Sequence, residues 1–186
     1  MRGGPAAGLA TVTLLIGGMT GCDSGGTGDL PLPPEPAASP AESTVDPTEQ
    51  AVLAAYRGSV QAMVAAQAAG DPDHPELTRY FAERTPALNN IRSGIQRHDA
   101  RDTYYSGDLL VVTAEVTALD PTARPPEATI ESCLDDTDYR LVRRSDGAPV
   151  PDTAPGGRYP VTSRSLRDGD GQWYVVESTA HWDEPC

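Results

Sequence analysis

The chain is expected to fold as an α+β domain, three helices followed by an antiparallel sheet. Three observations carry this. From Asp46 to about Gln96 the apolar residues recur at helical spacing, with proline and glycine between the runs. After about residue 100 the apolar period changes to two. The later segments are separated by the turn sequences Ser145-Asp146-Gly147 and Asp168-Gly169-Asp170-Gly171.

Asp46-Pro47-Thr48-Glu49 opens the first helix. Aspartate is a good N-cap because its carboxylate accepts from unpaired N–H groups, proline suits the first helical position, and Glu49 completes a capping box. Leu53, Tyr56, Val60, Met63 and Val64 form an apolar stripe, read as core packing, and Gly70-Asp71-Pro72 ends the helix. The stretch DPDHPELTRYF starts a second helix, with Asp73 or His74 as cap, Pro75 at the first position, and Leu77, Tyr80 and Phe81 buried. A third runs from Pro86 to about Gln96, with Leu88, Ile91 and Ile95 inward.

In DLLVVTAEVTALD the even positions Leu110, Val112, Ala114, Val116 and Ala118 are apolar, which predicts a strand with one buried face. EATIESCL puts Ala128, Ile130 and Leu134 on one face and Glu131 and Cys133 on the other. DYRLVRR, RYPVTSRSLR and QWYVVESTAHW supply three more strands.

The N-terminus carries an address. Residues 1–21 combine Arg2 with an apolar run from Ala6 to Ile16, too short for a membrane span of roughly 20 residues and suited to a signal peptide. Met19-Thr20-Gly21-Cys22 looks like a lipobox, the site where bacterial lipoproteins are cleaved and lipidated, although Met19 departs from the commoner leucine. The alternative is a secretory peptide with an incidental cysteine. Lipidation at Cys22 would hold the chain on the extracytoplasmic face of the cell membrane, because two or more acyl chains anchor durably. Loss of residues 1–21 removes one arginine and no acid, taking the net charge from −13 to −14. Residues 22–46 then form a lipidated, Gly/Ser/Pro-rich tether expected to be disordered, which could reach about 70 Å if fully extended. Residues 47–186 form the folded domain.

Charge excludes one class of function. At −13 the chain lacks the basic face that binds nucleic acid. Its 14 basic residues are all arginine, and with the wealth of Ala, Gly and Pro this suggests a GC-rich bacterial genome.

Several stretches together are similar to a known group: AVLAAYRG, GDPDHPELTRYF, VTALD, EATIESCLDD, PGGRYPVT, DGDGQWYV and the final Cys186. Over roughly residues 50–186 the chain resembles actinobacterial secreted lipoproteins of the nuclear transport factor 2-like, or SnoaL-like, superfamily. The resemblance implies a cone-shaped fold, with a curved sheet wrapped against a long N-terminal helix and a cavity at the wide end. It implies no activity. The superfamily includes ketosteroid isomerases, polyketide cyclases and many members without catalysis, and fold does not carry function.

With Cys22 assigned to the lipid, Cys133 and Cys186 remain. An even pair in an exported domain reads as a disulfide. Cys133, opposite Ile130 on its strand, is placed outside the core.

No motif declares an active site. His74, His98 and His181 show no metal-ligand spacing, DGDG reads as a hairpin turn, and no metal or cofactor is expected. Asp135, Asp136 and Asp138 lie close in sequence to Arg140, Arg143 and Arg144 and read as solvated ion pairs. An isomerase-like site would need a carboxylate base and a phenol donor. Tyr56, Tyr80 and Tyr104 could supply the phenol and Glu115 or Glu177 the carboxylate, though nothing in the spacing brings them together. The expected role is therefore a non-catalytic, membrane-anchored domain that binds a protein partner or small hydrophobic ligand, or acts as a scaffold. The alternative is a small SnoaL-like or ketosteroid-isomerase-like enzyme acting on a hydrophobic small molecule. An acid and a phenol converging in an open apolar pocket would favour the enzyme, and a filled interior would oppose it.

Overall fold

The first helix, α1 (Pro47–Ala69), begins where its capping residues place it. The structure is a computed structural model and describes residues 46–151, 153 and 156–186. The leader, Cys22 and the tether up to residue 45 lie outside the described residues. The Asp46 carboxylate accepts the Thr48 N–H at 2.6 Å. Gly70, at φ 67°, closes the helix in the left-handed conformation and donates to carbonyls of the last turn, as a C-terminal glycine can without a Cβ penalty. The buried arc is wider than the expected stripe and includes Val52, Tyr56, Ser59, Val60, Ala62 and Ala66.

The second helix shrinks to one turn, α2 (Leu77–Tyr80), with no side-chain cap. Pro72 and Pro75 keep the preceding residues in turns, and Phe81 goes extended to bridge Val175. The third, α3 (Pro86–Asp99), runs past the expected end and buries Leu88, Ile91 and Ile95.

Among the described residues six strands follow: β1 (Thr103–Ser106), β2 (Leu110–Asp120), β3 (Glu127–Asp135), β4 (Arg140–Arg143), β5 (Arg158–Arg167) and β6 (Trp173–Ala180). β2-β3-β5-β6 form a four-stranded antiparallel sheet, and β1 and β4 a separate antiparallel ribbon. The chain is thus α+β with antiparallel sheets. β1, Thr-Tyr-Tyr-Ser, is the strand that sequence period misses, since it carries no alternation of apolar and polar residues.

The face assignment of β2 needs correction. Its register slips between Val111 and Thr113 and again between Val116 and Ala118. Each β-bulge adds one residue and moves the next side chains to the opposite face. Val111, Ala114, Val116 and Leu119 therefore pack against the core, while Leu110 and Val112, expected inside, are 55% and 41% exposed. Ala118 is exposed as well.

The main core joins Val52, Tyr56 and Val60 of α1 to Leu77, Phe81, Leu88 and Ile91, and to Ile130, Trp173 and Val175 of the sheet. A second cluster of Leu134, Tyr159 and Val161 continues along β3 and β5. Cys133 faces away from both clusters, yet it is buried, because its disulfide to Cys186 draws the C-terminus over it.

The Asp-Arg cluster also resolves differently from the expectation. Asp135 pairs with Arg158 at 3.0 Å, Arg143 with Asp146 at 3.0 Å, and Arg144 with Asp99 at 3.5 Å. The DGDG segment is a turn, with the Asp168 carboxylate accepting from Asp170 and Gln172 N–H groups.

Gly107 joins β1 to β2 at φ 99°, and a Cβ there would collide with the Asp138 carbonyl oxygen. Gly107→Ala therefore combines an unfavourable φ with a backbone clash, and is expected to destabilise the domain by at least about 2 kcal/mol. Denaturant unfolding checks this, and an unchanged midpoint would show that the loop yields freely.

Candidate functional site

An open cavity of about 380 Å³ lies where α1, α3 and the ends of the strands meet. Its volume is within the usual range for small-molecule sites. α1 contributes Tyr56, Val60, Met63 and Gln67, one helical turn or less apart, because the same face that packs the core continues along the cavity. α3 contributes Ile91, Gly94, Arg97 and His98. The strands add Tyr105, Leu134, Tyr159 and Val161, and the segments following them add Asp136, Tyr139 and Trp182.

The apolar lining is aliphatic and Met63, with Phe81 and Trp182; the polar lining combines four phenols with Ser59, Gln67, Asn90, Arg97, His98, Asp136 and Ser178. Four of the seven tyrosines line this one space. The Tyr56 hydroxyl meets Ser132 Oγ at 2.5 Å, and Ser132 also donates to the Val161 carbonyl at 3.3 Å. The Tyr139 hydroxyl donates to Gln67 Oε1. Those of Tyr105 and Tyr159 have no hydrogen-bond partner among the described residues. Tyr105 and Tyr139 stack at 5.0 Å with a 12° interplanar angle. Tyr159 and Trp182 meet at 4.0 Å, and the His98 ring stands edge-on to Tyr105 at 5.0 Å. Asp136 accepts the Gly157 N–H at 2.6 Å, which anchors its carboxylate at the cavity wall.

Burial pushes the phenols of Tyr56, Tyr105, Tyr139 and Tyr159 above their ordinary range, and the negative charge of Asp136 adds to this at Tyr105 and Tyr159. Burial, then the charges of Arg101 and Arg97, push His98 below its ordinary value, which favours the neutral ring. The phenol shifts have a consequence for stability. A phenol whose folded value is raised favours the folded state while it stays protonated. That contribution is complete below the unfolded value of about 10 and is lost as pH rises through the folded values. The alkaline titration of phenolate absorbance should thus show several tyrosines ionising together with unfolding. A smooth titration of all seven in a folded chain would contradict this burial.

Of the residues named from sequence, Tyr56 lines the cavity and the others do not. The Tyr80 ring packs against α1 at Gly58, where a Cβ would overlap it. Tyr104 lies under the Arg144 guanidinium, 5.1 Å from the ring centroid. Glu115 is exposed on β2, opposite Glu131. Glu177 is exposed and pairs with Arg164 at 3.5 Å. Alternation with the core-facing Ala114 and Val116 on β2, and the exposed face of β6, keep both carboxylates from the interior. Sequence reasoning missed Asp136, Tyr105, Tyr139 and Tyr159. The usable signal was scarcity: in a chain with 5% aromatics, tyrosines beside polar turns are worth tracing.

Fold and cavity together define an α+β domain with antiparallel sheets and a small-molecule-sized pocket. No protein-family model and no curated protein matches the chain. Among solved structures it is similar to the intermembrane space region of chloroplast protein ARC6, with 13% identity and a TM-score of 0.44 over 69% of this chain and 95% of that one. It is also similar to a ketosteroid isomerase-like protein from Erwinia carotovora atroseptica SCRI1043, with 12% identity and a TM-score of 0.41 over 72% of this chain and 95% of that one. A protein from Catenulispora acidiphila gives 14% identity and a TM-score of 0.39 over 71% of this chain and 92% of that one.

Proposed function

We propose that this chain is a membrane-anchored extracytoplasmic lipoprotein, held through Cys22, whose cone-shaped domain of the nuclear transport factor 2-like type binds a small, partly apolar ligand. The observation that carries the binding reading is the cavity itself. It is open, its walls combine aliphatic, aromatic and polar side chains, and two of its phenol hydroxyls have no hydrogen-bond partner among the described residues. Hydroxyls that reach an open pocket without a protein partner are available to a ligand. The anchor reading rests on the lipobox-like Met19-Thr20-Gly21-Cys22 and the proline-rich tether after it.

Native mass spectrometry of the chain, extracted from its own membrane in mild detergent, tests both parts. The expected species begins at Cys22, carries acyl mass and retains a stoichiometric small molecule. An unmodified N-terminus overturns the anchor. A chain that stays empty after exposure to a total small-molecule extract of its cells overturns the binding reading.

One observation favours the alternative, a small SnoaL-like or ketosteroid-isomerase-like enzyme. The Asp136 carboxylate shares the cavity with the free hydroxyls of Tyr105 and Tyr159. A carboxylate can take a proton adjacent to a carbonyl while phenols donate to the oxygen that becomes negative. Exchange of solvent deuterium into unsaturated ketones, lost in Asp136→Asn, would establish it. No exchange above the uncatalysed rate leaves binding alone.

A further inference from the structure

We propose that the cavity is built to take an organic ammonium, a quaternary or protonated amine, at a cage formed by Tyr105, Tyr139, Tyr159 and Trp182 with the Asp136 carboxylate. This rests on the ligand-binding reading and names the chemical class of the ligand.

The four rings come from separate parts of the chain and converge on one space. They stand as two pairs, Tyr105 with Tyr139 and Tyr159 with Trp182. Aromatic faces attract cations through the ring quadrupole, and organic ammonium groups, being weakly hydrated, gain most. Trp182 is 66% exposed, although it lies against Tyr159 and lines the cavity. An indole left in water at the edge of a pocket gains its apolar contact when a ligand covers it.

Asp136 supplies the negative charge. Among the described residues its carboxylate accepts only the Gly157 N–H, so it retains capacity for a cation. Its field reaches the cage, since it disfavours phenolate at both Tyr105 and Tyr159. Burial keeps these phenols neutral, so the cage holds one formal negative charge and several polarisable rings.

Two other occupants fit less well. A hard metal cation needs several oxygen ligands, and among the described residues no group of three or more His, Cys, Asp or Glu could hold a metal. The formal positive charge that the lining offers an anion is that of Arg97, which is exposed and therefore screened. The net charge of −13 also draws cations towards the chain. Val60, Met63, Ile91 and Val161 would receive the apolar part of the ligand.

Three probes of nearly the same shape separate charge from size: choline, its neutral carbon isostere 3,3-dimethylbutan-1-ol, and the anion 3,3-dimethylbutanoate. Binding to the full chain in non-ionic detergent would be followed by protein NMR shifts. Choline is expected to bind about tenfold more tightly than the neutral isostere. Asp136→Asn should abolish that preference, bringing the affinities of choline and the isostere together. Trp182→Leu, at an exposed position that does not endanger the fold, should reduce it several-fold. Equal or tighter binding of the alcohol or the anion overturns the ammonium assignment and leaves the ligand-binding reading standing. Choline selectivity that survives both substitutions overturns the cage. If none of the three saturates by about 10 mM, the ammonium assignment falls; the binding reading falls with it only if the extracted chain also proves empty by native mass spectrometry.

Discussion

Ile130→Ala is expected to lower the free energy of unfolding by about 4 kcal/mol. Ile130 is fully buried at the middle of β3, a strand flanked on both sides, where it stands in register with Val116 of β2 and Ser163 of β5. It belongs to the cluster that joins the sheet to α1 and α3. Removing its outer carbons forfeits their transfer energy and leaves a void. The sheet register and the long helix prevent the surroundings from closing it, which places the cost near the upper part of the usual range. Urea unfolding measures it, and Ile130→Val should lose only about 1 kcal/mol. A loss below about 2 kcal/mol in the alanine variant would show that α1 can settle onto the sheet. Domains of this size have roughly 5–15 kcal/mol in total, so the alanine variant should unfold at markedly lower denaturant.

Breaking the disulfide should have a comparable effect. Cys133 and Cys186 are 53 residues apart in sequence. In the chain-entropy model, closing a loop of that length restricts the unfolded chain enough to stabilise the fold by about 4 kcal/mol. Replacing both cysteines by serine, or reducing the bond, is expected to remove most of this, read as a lower denaturation midpoint. An unchanged midpoint would mean that the C-terminus is held as firmly by other contacts. The bond also bears on the cavity. It fixes the segment that follows β6, and Trp182 on that segment packs over Tyr159 at the cavity wall. Loss of the bond should thus weaken ligand binding along with stability, whereas Ile130→Ala acts on a residue that does not line the cavity.

Much of the architecture was legible because it depends on local chemistry. Asp46, Pro47 and Gly70 bound the first helix through backbone rules that operate within a few residues. The two-residue period of EATIESCL placed Ala128 and Ile130 inward because a strand buried on one face must alternate. DLLVVTAEVTALD alternated just as cleanly and misled at Leu110 and Val112. Two bulges, which only pairing with β3 reveals, changed which residues face the core. The second helix was overestimated for a similar reason. Phe81 has the pattern of a buried helical residue, but it meets the core by bridging Val175 in extended form.

The candidate site was the least legible part. Asp136 stands in a run of acids with the pattern of solvated side chains, and what holds its carboxylate at the cavity wall is the Gly157 N–H, 21 residues away. Tyr105, Tyr139 and Tyr159 share no spacing, since they come to one cavity from β1, the segment after β3, and β5. Sequence by itself determined the class of fold, the limits of α1 and the acidic charge, because each follows from composition or from neighbours along the chain. Tertiary structure alone decided which acid meets which phenols, which face of β2 is buried, and that a cavity remains open, because these depend on the register and packing of segments far apart in the chain.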